Sequence, residues 1–401
     1  MSVRNGFRQA ICRLMETAKP FPIARAAFSG LLAMFVSIGV ARFGFAPLVP
    51  ALATAHWYSA AGAFWFGTVN LVGYFVGAAV MRVWRRPFAA KPAVLLFMGL
   101  TCAATLGSAL NWGWAWFGAW RLVSGVTGGI LMVLMAAAVV GRAPPAARGR
   151  VSGITFAGMG AGTAFSAILE PLLLTRGLVF TWAALGLVCV LATLAVAAMM
   201  PATRIEPPPR HAAKGLPPGP VLLMIGAYAL SALGFVPHML FLSSFSALGL
   251  RRGVAAGAEI SAWLGVSAML GPLVLGRVAD RFGFLPTLGI GYVVMGCGVA
   301  VPLLLHAQLG LIFSAVAVGA VALGSVMLVA GAIAGMVPAA RLPSDWGLAT
   351  MVYAVMQALV AALFSNIFHV TGSYSLLFGF GMVAMAVSAL LILLTARLAG
   401  R

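Results

Sequence analysis

The sequence predicts an all-α membrane protein: twelve transmembrane helices in two pseudo-symmetric six-helix bundles. Three observations carry this. Of 401 residues, 63% are hydrophobic and 8% charged, whereas a soluble domain carries about 25% charged residues. Twelve apolar runs are long enough to cross hydrocarbon, which takes about 20 helical residues. A proline-rich stretch, Ala202–Pro220, leaves six runs on either side. This composition excludes a soluble enzyme, a nucleic-acid-binding domain and a disordered chain. The net charge of +19 has too few polar neighbours to form a soluble basic face. It suits an anionic bilayer surface instead, with no nucleic-acid partner.

The elements follow in order. Residues 1–24 are basic, with Arg4, Arg8, Arg13 and Lys19. The apolar run after them, 25–52, is too long for a cleaved signal peptide and reads as a signal anchor. Spans 60–82 and 93–110 flank a loop holding Arg82, Arg85, Arg86 and Lys91. Span 113–140 contains Val126–Val140, which is apolar on every side. That rules out a barrel strand, where apolar and polar residues alternate. Spans 150–173 and 178–201 complete the first half, residues 25–201. The linker, 202–219, reads as a semi-rigid proline-rich spacer. Spans 220–245, 256–277, 285–306, 309–337, 345–369 and 374–396 make the second half, 220–396, and 397–401 is a short tail.

Loop cations set the orientation. With the N-terminus cytoplasmic, that side receives 20 of the 25 Lys/Arg, and the other receives Arg176, Arg251 and Arg252. Arg42 and Arg121 fall inside spans. The expectation is a multi-pass protein of the cell inner membrane, with both termini cytoplasmic, acting as a monomer. Cys12, Cys102, Cys189 and Cys297 are scattered and show no metal or redox spacing. They read as small apolar residues. No cofactor, metal or catalytic residue is expected.

A loop repeats. Gly77 to Arg86 reads G-A-A-V-M-R-V-W-R-R, and Gly276 to Gly283 reads G-R-V-A-D-R-F-G. On these residues the sequence resembles the major facilitator superfamily, whose members carry G-x-x-x-D-R-x-G-R-R/K between spans 2 and 3 and often again between spans 8 and 9. The second copy matches at Gly276, Asp280, Arg281 and Gly283. The first keeps Gly77 and Arg82 but has Met81 for the Asp and Trp84 for the second Gly. Arg121, Gly125 and Gly129 are similar to the family's pattern on span 4. The stretches Gly39–Pro50 and Asn70–Ala78 resemble the YbfB/YjiJ-type subgroup. The resemblance implies alternation between inward-open and outward-open states. It also implies a cavity lined by spans 1, 4, 7 and 10, and a conformational switch built on Gly77, Arg82, Gly276, Asp280, Arg281 and Gly283.

Arg42 and Arg121 are the leading candidates for substrate binding. An arginine at the centre of a span costs about 2.5–3.5 kcal/mol on insertion scales. Both lie about 15 Å from the outer end of their span at 1.5 Å per residue. One reading is a clamp in a hydrated cavity, gripping a carboxylate or phosphate through planar donor forks. The other is that each pairs with a backbone carbonyl or with Glu170. Glu170 and Glu259, at the outer ends of spans 5 and 8, are candidates for proton coupling; the plainer reading is a wet boundary residue. His238, after Pro237, is a further substrate-binding candidate or a satisfied core histidine. Asn70 and Gln357 are buried amides that bind solute or bond across the bundle interface. Asp345 would cap span 11.

The function expected is secondary active transport of a small, anionic organic solute by alternating access, with proton coupling as a further expectation. A proton-driven multidrug exporter of amphipathic compounds is the alternative within that class. A non-transporting membrane sensor or structural protein is the alternative outside it. No G-x-x-x-x-G-K-[ST] loop, clustered carboxylates or H-E-x-x-H supports an ATP-driven pump or a membrane enzyme.

Overall fold

A computed structural model describes residues 22–84, 86–205, 216–338 and 341–399. Most of the N-terminal segment, Arg85, the side chain of Arg82 and the centre of the linker lie outside the described residues. Among the described residues, twelve helices are long and apolar enough to span a membrane: α1 (Ile23–Thr54), α2 (Ala60–Met81), α3 (Ala90–Gly107), α4 (Trp114–Val140), α5 (Gly149–Leu174), α6 (Leu178–Met199), α7 (Gly219–Leu240), α8 (Val254–Phe282), α9 (Phe284–Leu304), α10 (Gln308–Met336), α11 (Ser344–Thr371) and α12 (Tyr374–Ala399). Each falls on a predicted run. The run after α7 is broken at Phe241 and resumes as Leu242–Ser244 and a wide π turn, Phe245–Gly249. Pro237, one turn earlier, lacks an N–H and crowds the carbonyl of Leu233, so the helical ladder is weakened here.

The two halves are built alike. In the first, α2 packs on α4, α4 on α3, α3 on α6 and α1 on α5. In the second, α8 packs on α10, α10 on α9, α9 on α12 and α7 on α11. Each of these four contacts recurs six helices later, which is the predicted pseudo-symmetry. The bundles join through α5 against α8 and α2 against α11, and these contacts are mates under the same operation. An even number of spans puts both chain ends on one face, called here the terminal face; the other is the far face.

Helices in lipid gain little from hydrophobic association, so close packing of small residues carries much of the contact. A Cβ on Gly77 would lie 2.1 Å from Val126 O, and one on Gly125 would lie 2.0 Å from Asn70 O. Gly77 therefore sits mid-helix against α4, where the two backbones touch. The α5–α8 contact is built the same way, since a Cβ on Gly160 would lie 2.3 Å from the Met269 amide nitrogen. The outward surface is apolar: Leu187, Leu191 and Leu194 on α6 and Leu390 and Leu393 on α12 are exposed, as acyl chains require.

The linker does more than space the halves. Arg204–Ile205 (β2) pairs antiparallel with Phe88–Ala89 (β1), with Phe88 opposite Ile205. The Ala90 N–H donates to Thr203 O at 2.8 Å. The first linker residues are thus fastened to the α2–α3 loop. Gly283 joins α8 to α9 at φ +91°, a backbone conformation that favours glycine.

The Gly77 contact yields a stability prediction. Gly77→Val should lower the melting temperature in detergent, because overpacking costs about 1–3 kcal/mol. Gly99→Ala, where a Cβ meets nothing within 4 Å, should leave it unchanged or raise it. Equal melting behaviour of the two variants would contradict the close approach.

Candidate functional site

The site begins with an irregularity in α1. Residues Phe35–Phe43 form a π-helical segment. Pro47 lies just beyond it and cannot complete the regular ladder, so the wider turn accommodates the chain. Such segments recur at functional sites. Here the segment carries Arg42 into the space between the bundles and turns the Ala41 carbonyl toward α4.

Arg42 is buried, with 9% of its surface exposed. One terminal nitrogen donates to Gln357 Oε1 on α11 at 3.1 Å. The same nitrogen lies 3.9 Å from Met239 Sδ on α7. Both contacts cross from the first bundle to the second. The guanidinium carbon sits 4.4 Å from the centre of the Tyr74 ring, a cation–π distance. Arg42 Nε has no hydrogen-bond partner.

Arg121, 2% exposed, turns the other way. Its NH1 donates to Ala41 O at 2.7 Å, and its guanidinium lies 4.3 Å from the Phe45 ring centre. Asn70 Nδ2 donates to the Arg121 carbonyl at 3.0 Å, tying α2 to α4. Arg42, Arg121, Asn70 and Met239 border one crevice that is too narrow for a water molecule. The open, hydrated cavity expected around the two arginines is therefore absent from this conformation. Arg121 bonds a carbonyl of its own bundle while its Nε has no partner, and neither arginine reaches Glu170.

The remaining candidates lie apart. Glu170 is fully buried, and neither carboxyl oxygen has a partner. The wet-boundary reading fails for this residue, because burial on α5 closes it off from solvent. Glu259 is exposed and accepts from Gln308 Nε2 at 2.9 Å. Arg252 donates to Gln308 Oε1 at 3.0 Å, so Glu259 belongs to a network binding the far-face loops of the second bundle. His238 meets Ser314 Oγ through Nε2 at 2.7 Å. Ser314 spends its own hydrogen on Gly298 O at 2.7 Å, so Nε2 is the donor and His238 is held inside the second bundle. Asp280 and Arg281 are exposed at the terminal face, and Asp280 forms no ion pair among the described residues. Asp345 does not cap α11; it pairs with Arg341 Nε at 2.9 Å. That arginine holds the N-cap position, so the carboxylate lies one turn inside the helix.

Sequence reasoning missed the far-face closure. Phe64 on α2 lies 4.1 Å from Phe241 and 4.9 Å from Phe368, ring centre to ring centre. All three are buried. Thr68 and Ser365 share a hydrogen bond of 3.0 Å across the same α2–α11 seam. The far half of α1 packs on α8 and on the segment after α7. On the terminal side α4 and α10 pack mainly within their own bundles. The conformation is thus sealed on the far face. A phenylalanine in an apolar run gives no signal of such a role, because its side chain looks like any other core residue.

Residues 34–393 match the family described as "Uncharacterised MFS-type transporter YbfB". The chain belongs to this family of major facilitator superfamily transporters. The fold agrees: the crystal structure of the human organic anion transporter MFSD10 (TETRAN) is similar at a TM-score of 0.67 and 16% identity, over 93% of this chain and 100% of that one. The D-xylose-proton symporter structure is similar at a TM-score of 0.67 and 16% identity, over 91% of this chain and 96% of that one. No curated protein sequence matches the chain. As a family member the protein is a multi-pass membrane transporter, and the Arg42–Gln357 bond joins its two bundles.

That bond sets a conformational prediction. Gln357→Leu should favour the far-open state by about tenfold or more, since a hydrogen bond to a charged group contributes about 1.5–3 kcal/mol. Gln357→Glu should do the opposite by making an ion pair. Electron–electron distance measurements between spin labels at Arg176 and Thr371, in a cysteine-free background, should show a longer-distance population in the first variant and a depleted one in the second. Identical distributions would contradict the tie.

Proposed function

We propose that the protein is a secondary active transporter that moves a small organic anion by alternating access, with Glu170 carrying a coupling proton. In this reading it works as a monomer in the inner membrane, with its basic terminal face in the cytoplasm as the loop cations require.

One observation carries the anion preference. Two guanidiniums border a single crevice, and no carboxylate among the described residues is bonded to either. Their partners are an amide oxygen, a carbonyl and aromatic faces. Buried charge without a counter-charge is expensive. An anion entering as the bundles part would offset that cost, and Arg42 retains an unused Nε for a second oxygen. Asp280 and Arg281 then serve as the terminal-face latch, unengaged while that face is not the sealed one.

Glu170 supports proton coupling because it is the one carboxyl buried without a partner among the described residues. Ser166 and Gly162, one and two turns before it on α5, face α1, so in this reading its proton answers to movement of α1, the helix that carries Arg42. The same buried carboxyl also suits a proton-driven exporter of amphipathic cations, so cations belong in the test.

Thermal-shift screening of purified protein against organic acids, phosphorylated metabolites and cationic drugs separates the readings. A ligand at about 100 times its Kd stabilises by about 2.7 kcal/mol. An anion should raise the melting temperature of wild type and fail to do so in Arg42→Gln. Stabilisation by cations alone, or an undiminished anion response in both Arg42→Gln and Arg121→Gln, would contradict the anion site.

A further inference from the structure

Four of the six tyrosines, Tyr74, Tyr228, Tyr292 and Tyr353, come from α2, α7, α9 and α11 yet lie close together, Tyr74 and Tyr353 beside Arg42 and Tyr228 and Tyr292 next to Tyr353. Tyr228 and Tyr353 stack face to face, with ring centres 4.2 Å apart and planes 11° apart. Trp346 continues the stack at 6.5 Å and 25° from Tyr228. Tyr74 lies under the Arg42 guanidinium. A tyrosine buried in an apolar bundle carries a hydroxyl that needs a partner. Four of them together, two of these beside a charge, ask for a reason beyond packing.

The placement on α11 supplies a direction. Trp346, Tyr353 and Gln357 follow at i, i+7 and i+11, one stripe of a helix. The stripe starts at the terminal face and ends on Arg42. Trp346 and Tyr353 are partly exposed, whereas Gln357 is buried. A solute arriving from the terminal face therefore meets flat aromatic surfaces first and a guanidinium last. At the end of the path, Gln357 Oε1 sits 3.1 Å from the Arg42 nitrogen. A neutral amide oxygen there occupies the position that one oxygen of a carboxylate would take. A carboxylate is the stronger acceptor and can use the free Nε as well, making a bidentate pair.

We propose that the solute is an aromatic carboxylate, with its ring against the accessible side of the Tyr353–Tyr228–Trp346 ladder and its carboxylate on Arg42 in place of Gln357. This rests on the anion reading above and narrows it. Tyr353 is then a specificity-determining residue: it selects for a flat ring, and Arg42 selects for charge.

Isothermal titration of the full chain in nanodiscs with benzoate, cyclohexanecarboxylate and benzylammonium tests the two parts separately. The two acids share charge and approximate size, and only benzoate is aromatic. Wild type should prefer benzoate on the order of fivefold, the value of a favourable aromatic pair. Tyr353→Leu should erase that preference and keep the acids bound, Tyr353→Phe should retain it, and Arg42→Gln should lose both acids. Equal binding of the two acids by wild type, or an undiminished preference in Tyr353→Leu, overturns the aromatic assignment and leaves the anion site standing. Absence of benzoate binding also overturns it. Binding of benzylammonium alone overturns both.

Discussion

The hydrogen bond from Arg42 to Gln357 joins two bundles whose seams are otherwise apolar apart from the Thr68–Ser365 hydrogen bond, among the described residues. Its weight comes from where it lies. Arg42 is a charge deep in a chain built for lipid, held by a π-helical segment that points it between the halves. A charge there cannot be left idle, since a buried ion without partners is unstable. The protein answers with a neutral acceptor from the opposite bundle and a tyrosine face, which is enough to hold the guanidinium but weaker than an ion pair. A tie of middling strength suits a transporter. It holds one conformation and can be exchanged for a better acceptor.

The same geometry organises the rest of the cycle. The far face is shut by Phe64 between Phe241 and Phe368 and by the Thr68–Ser365 bond. These contacts lie along the α2–α11 seam that also carries Gln357, so loosening the Arg42 tie and opening the far face are movements of one interface. The α5–α8 seam is the second hinge line. It is glycine-lined, so the backbones touch, while Glu170 follows Gly162 and Ser166 on the stripe of α5 that faces α1. Separation of the bundles would therefore disturb the gate and the arginine together.

Much of this was legible in the sequence. The twelve spans follow from apolar length alone, and the ends that depart furthest are those of α7, at Leu240 rather than residue 245, and α8, at Phe282 rather than residue 277. The two halves follow from the linker and the repeated loop. Arg42 and Arg121 stand out because charge in a span is costly. Their partners were not legible. Gln357 is 315 residues from Arg42, and which helix faces meet depends on packing that no periodicity states. The Ala41 carbonyl became available to Arg121 through a π-helical segment that the sequence hints at only by Gly39, Gly44 and Pro47. The motif glycine Gly77 proved to be a packing position, because its helix runs on past it. Glu170 was placed by counting at a wet end and is buried, since counting along a helix gives depth but not facing. The tyrosines gave a fainter signal: Trp346, Tyr353 and Gln357 share a stripe on α11, visible once their spacing is counted.

The central claim is that a solute's anionic group takes the place of Gln357 on Arg42. The most direct measurement is a cryo-EM or crystal structure of the protein saturated with an organic acid that it binds. The account predicts density for the acid's anionic group against the Arg42 guanidinium, with the Gln357 side chain displaced and the Arg121–Ala41 bond retained. An acid bound elsewhere, with the Arg42–Gln357 bond intact, would contradict it.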